Sequence, residues 1–164
     1  MMKKAAIILM AVVFLFSLSN PVFAADTDNH TVTVTVAAIN EVAITGGAIT
    51  LTIDTATAGG EPTNATDATC TLDWTTNELT KKITVETTVG VPPQNFTLQV
   101  QATGVTGGTS GGLLTLTHAA AAQDFVTGVS QTIGDCTLSY TASATAAQGT
   151  GTDTHTVVYT ITNG

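Results

Sequence analysis

The chain has 164 residues with 4 lysines and arginines against 12 aspartates and glutamates, for a formal net charge of −8. It contains no arginine, and two of its four lysines, Lys3 and Lys4, lie at the extreme N-terminus. A chain so poor in cations disfavours nucleic acid and anionic lipid as partners, because both are held through Lys and Arg contacts to phosphate.

Residues 1–24 read as a secretory signal: Lys3 and Lys4 open it, an apolar run covers 5–18, and Val22, Phe23 and Ala24 precede the expected cleavage before Ala25. No second long apolar stretch follows, so no stable membrane anchor is expected. The expectation is a protein secreted to the exterior or cell surface (periplasmic in a Gram-negative cell), with residues 25–164 forming one domain. Of the cations only Lys81 and Lys82 then remain.

The pattern Asp-x-His-Thr-Val occurs at residues 28–32 and again at residues 153–157. Each copy opens a run of alternating apolar and polar residues, the period of a half-buried strand. Strands are predicted near 31–37, 42–45, 48–54, 69–75, 82–88, 95–103, 112–117, 135–145 and 155–162, with a weaker one near 125–130. Gly46-Gly47, Gly59-Gly60, Pro92-Pro93, Gly107-Gly108 and Gly134-Asp135 supply turns between them. Residues 118–123, rich in alanine, are the one place where a helical turn is expected.

Parity assigns the inward faces. They include Val32, Val34 and Val36; Ile49, Leu51 and Ile53; Cys70, Leu72 and Trp74; Ile83 and Val85; Phe96, Leu98 and Val100; Leu114 and Leu116; Cys136, Leu138 and Tyr140; and Val157, Tyr159 and Ile161. Threonine fills many of the alternate positions, where a β-branched side chain with a hydroxyl suits a wet sheet face. Eight to ten short strands in one domain indicate an all-β, antiparallel β-sandwich of immunoglobulin-like architecture, with a β-barrel as the alternative.

Cys70 and Cys136 each begin the pattern Cys-Thr-Leu-x-aromatic. In an exported chain two such core-facing cysteines are expected to form one disulfide, contributing about 4 kcal/mol in the chain-entropy model.

Three constellations could carry chemistry. If the first and last strands lie side by side and parallel, Asp28, His30, Asp153 and His155 would gather at one end of the core, a donor set suited to a divalent metal such as Zn²⁺ or Cu²⁺. The loop 54–67 holds Asp54, Glu61, Asn64 and Asp67, oxygen donors without EF-hand spacing. Residues 108–112 match G-x-S-x-G formally, but that motif works at a strand-to-helix turn, and no helix is predicted after it. No catalytic set emerges, and no resident cofactor is expected beyond that metal.

The expected function is therefore a non-enzymatic structural or adhesive module, a subunit of a surface filament or matrix that assembles with itself or other surface proteins through its N-terminal strand. The alternative is an extracellular module that binds a metal ion or carbohydrate.

Overall fold

The computed structural model describes residues 26–88, 95–118 and 121–164. The expected signal segment, the Pro92-Pro93 turn and part of the alanine-rich stretch lie outside these residues. The chain divides into two units, Met1–Thr35 and Val36–Gly164. In the first, residues 26–35 form neither helix nor strand and are exposed throughout.

The second unit carries nine strands among its described residues: β1 (Asn40–Thr45), β2 (Ala65–Thr76), β3 (Lys81–Thr87), β4 (Thr97–Thr103), β5 (Thr109–Ser110), β6 (Leu113–Leu116), β7 (Gln123–Val129), β8 (Thr132–Ser143) and β9 (Val157–Asn163). They form a five-stranded sheet in the order β1-β2-β8-β4-β6 and a four-stranded sheet in the order β5-β7-β3-β9, and every pair is antiparallel. Each sheet keeps two edges, so the arrangement is sandwich-like and not a closed barrel. Among the described residues the one helical turn spans Ala146–Gln148, after β8; of the alanine-rich stretch, Gln123 belongs to β7.

The alternation of β2 and β8 makes them the centre of the larger sheet. Cys70, Leu72 and Trp74 on β2 and Cys136, Leu138 and Tyr140 on β8 are all buried. They meet Ile83 and Val85 of β3 and Phe125, Val126 and Val129 of β7 from the other sheet in one core. Burying a side chain of this size contributes about 1.5–3 kcal/mol.

The strand near 125–130 reads weakly in sequence because its parity breaks. Lys81 pairs with Val129 but Ile83 pairs with Val126, and a second irregularity falls between Ile83 and Thr84. Gly128, at φ +68°, lies within the first bulge. The extra residues turn Phe125, Val126 and Val129 all inward.

Three expectations are corrected. Residues 31–37 form no strand, and Val32, Val34 and Val36 are 69%, 81% and 73% exposed instead of buried. The last strand pairs with β3, not with the first predicted one. Residues 48–54 keep the expected alternation, with Ile49, Leu51 and Ile53 half-buried between exposed neighbours, yet they form no ladder.

The disulfide is a further correction, since Cys70 and Cys136 are free buried thiols. The register explains this. Cys70 stands opposite Leu138, and Cys136 opposite Leu72, so the cysteines are diagonal neighbours two residues out of step. Diagonal positions lie roughly 7–8 Å apart, beyond the usual Cα span of a disulfide.

One polar contact joins the sheets inside the core. The hydroxyls of Tyr140 on β8 and Tyr159 on β9 share a buried hydrogen bond of 2.8 Å, and the Tyr159 ring packs on Phe125 at 4.9 Å between centroids. Replacing one tyrosine by phenylalanine strands the other hydroxyl in an apolar surround. Y159F is expected to lose about 1–3 kcal/mol in urea unfolding, and Y140F/Y159F to lose less than the sum of the two single variants.

Candidate functional site

Two long connections, β1 to β2 (residues 46–64) and β8 to β9 (residues 144–156), emerge at the same end of the second unit. The register fixes which end: β2 reaches it through Cys70 toward Ala65, β8 through Tyr140 toward Ser143, and β9 begins there with Val157. Between the connections opens a cleft of about 1140 Å³. Residues 47–56 form one wall and residues 149–157 the other, with Leu98, Leu138, Tyr140 and Ala142 lining the space between them. Drug-sized ligand pockets run to about 1,000 Å³, so this one is at the upper limit for a small molecule.

Residues 47–55 and 149–156 of these walls belong to no strand. Among the described residues, no backbone–backbone hydrogen bond involves residues 47–54 or 150–155. β9 is an edge strand whose one strand partner is β3. The walls are nevertheless held in place. Glu61 Oε2 accepts the Ala146 N–H at 2.6 Å, an isolated bridge joins Ala56 to Pro62, and Thr63 N–H donates to Thr55 O at 2.8 Å.

Asp153 holds the second wall. Its Oδ2 accepts the backbone N–H groups of Asn95 at 2.8 Å and Phe96 at 2.9 Å. His155 Nε2 lies 3.9 Å from the same oxygen, with both side chains largely buried. Of the expected metal set, this pair therefore sits together and its carboxylate serves to cap the start of β4. Asp28 and His30 lie in the first unit, both exposed, and Asp28 Oδ1 accepts the Asn29 N–H at 2.8 Å. Among the described residues, no group of three or more His, Cys, Asp or Glu side chains is arranged to hold a metal ion.

Two of the oxygen donors of loop 54–67, Glu61 and Asp67, have local duties. Glu61 serves Ala146, while Asp67 Oδ1 accepts the Thr69 N–H at 2.9 Å and the Thr69 hydroxyl at 2.8 Å, an Asx-type turn beside the β2 irregularity. In the G-x-S-x-G match, Ser110 Oγ donates to Ala102 O at 2.8 Å and accepts Gly112 N–H at 3.2 Å, which ties it into the strand edge. A Cβ on Gly111 would fall 2.1 Å from Asp124 O, so close backbone approach accounts for that glycine.

The opposite end of the unit bears the root of the N-terminal segment. Asn77, just beyond β2, accepts the Ile39 N–H on Oδ1 at 2.8 Å and donates from Nδ2 to Ala37 O at 2.7 Å, and its own N–H reaches Ile39 O at 3.2 Å. Among the described residues, no helix is long and apolar enough to cross a membrane.

Sequence reasoning missed the cleft as a site because it read 48–54 as a strand like the others, and alternation alone does not show which segments lack a ladder. The signal was present as two strand-like segments, 31–37 and 48–54, that no ladder among the described residues holds. Comparison with known protein families, with curated proteins and with solved structures found no match.

Cys136, Tyr140 and Tyr159 are buried in the core. Burial pushes the Cys136 thiol up from 9.0 to about 11 and raises the Tyr140 and Tyr159 hydroxyls as well. Each group holds its proton more tightly folded than unfolded, so its contribution is complete below the unfolded value and lost as pH rises through the folded one. Stability in urea is expected to fall as pH rises from about 9 toward 11, and C136A is expected to flatten the start of that decline.

Proposed function

We propose that this chain is a non-enzymatic, exported β-sandwich subunit of a surface filament or matrix, joined to its neighbours through its N-terminal strand. The observation that carries the reading is the stripe Val32, Val34 and Val36, all more than two-thirds exposed. Isolated surface valines are ordinary, but three on one parity of an alternating segment make an apolar stripe without a cover among the described residues. Threonines at 31, 33 and 35 give the segment a second, wet face.

An extended segment of this kind gains main-chain hydrogen bonds and apolar burial when it joins a sheet edge. The edge strand β9 offers such a place. Nature usually blunts exposed edges with charge, bulges or proline, and β9 (VVYTITN) has none of these. Each valine buried on assembly would contribute about 1.5 kcal/mol or more.

The test is assembly as a function of concentration, read by light scattering after size exclusion and by electron microscopy. The full chain is expected to form polymers, and V32D/V34D to remain monomeric with unchanged thermal unfolding. A wild-type chain that stays monomeric at every concentration would refute the reading.

A further inference from the structure

We infer that the cleft between residues 47–56 and 149–157 is the seat of residues 31–36 from a second copy of this chain, making a head-to-tail contact. The inference rests on the proposed strand donation and assigns its receiving site.

The cleft has the form of a place for one strand. One wall, residues 48–54, alternates half-buried Ile49, Leu51 and Ile53 with exposed neighbours, as a strand does, but has no ladder partner among the described residues. The other wall runs into β9, an edge strand paired among the described residues with β3 alone. A strand laid between them would hydrogen-bond to both walls and turn one face toward Leu98, Leu138 and Tyr140.

The occupant fits in length, face and charge. Six residues of strand span about 20 Å, the length of the 48–54 wall. Val32, Val34 and Val36 share the face that would meet the cleft, and the threonines between them would face outward. Residues 31–40 carry no charge in a chain with 12 acidic side chains, while the cleft walls include Asp54 and Asp153. A carboxylate-bearing strand would be repelled there; this one is not.

The two partners lie at opposite ends of the second unit. Asn77 roots the N-terminal segment beside Thr76, Lys81 and Asn163, whereas the cleft opens where β8 ends and β9 begins. Donor and acceptor are therefore different surfaces, and the contact is heterologous. Such contacts propagate into open chains unless a rotation closes them into a ring.

Complementation tests this with full-length chains. V32D/V34D removes the donor, and A144W fills the cleft at the end of β8. Each variant alone is expected to be monomeric, and a mixture is expected to stop at a heterodimer in which A144W donates and V32D/V34D receives. In wild-type polymer, amide exchange at residues 48–54 and in β9 is expected to slow at least about tenfold relative to the V32D/V34D monomer. If A144W still polymerises while V32D/V34D does not, strand donation stands and the cleft is overturned as its seat. Should A144W fail to fold, exchange in wild-type polymer decides alone: unchanged amides in both walls overturn the cleft. A monomeric wild-type chain with both walls already protected would place its own N-terminal segment there and overturn both readings.

Discussion

Everything in the second unit is arranged around the pairing of β2 with β8. Both strands have twelve residues, and their register brings Trp74 opposite Gly134, where a Cβ would lie 2.5 Å from the indole ring. That close approach leaves room for the buried indole over Gly134, where any side chain would collide with it. The remaining strands of this sheet add on either side, β1 against β2 and β4 against β8. The pair also supplies the floor of the cleft and, through Tyr140, the polar link to the opposite sheet.

The core was readable in the sequence wherever a strand pairs regularly. Cys70, Leu72, Trp74, Cys136, Leu138 and Tyr140 fall inward as their parity requires, because β2 and β8 are long and alternate cleanly over that stretch. Phe125, Val126 and Val129 escaped because bulges change which side chain points in, and a bulge leaves only a glycine as its trace. The cysteines misled for a related reason. Face can be read from one strand, but the relative register of two strands cannot, and a displacement of two residues separates a bridge from a pair of thiols.

The N-terminal segment failed as a prediction in a more informative way. Alternation reports that a segment is suited to a half-buried strand; it does not say which chain supplies the rest of the sheet. Residues 31–36 and 48–54 both carry that suitability, and neither has a ladder among the described residues. The repeated Asp-x-His-Thr-Val motif likewise precedes two alternating segments, of which only the second becomes a strand, β9. Asp153 in the second copy is occupied in capping Asn95 and Phe96.

The Asn77 clamp carries a mechanical meaning. Its two side-chain bonds and one main-chain bond fasten residues 37–39 directly to the turn between β2 and β3, ahead of β1. In a head-to-tail chain, tension on the linking strand would enter each subunit at this point and pass along β1 and β2. The hydrogen bonds between those antiparallel strands lie across the direction of pull, so they would resist together as a sheared ladder instead of opening one after another. A single asparagine would thereby set where the load enters, and so how much extension such a fibre bears before its subunits unravel.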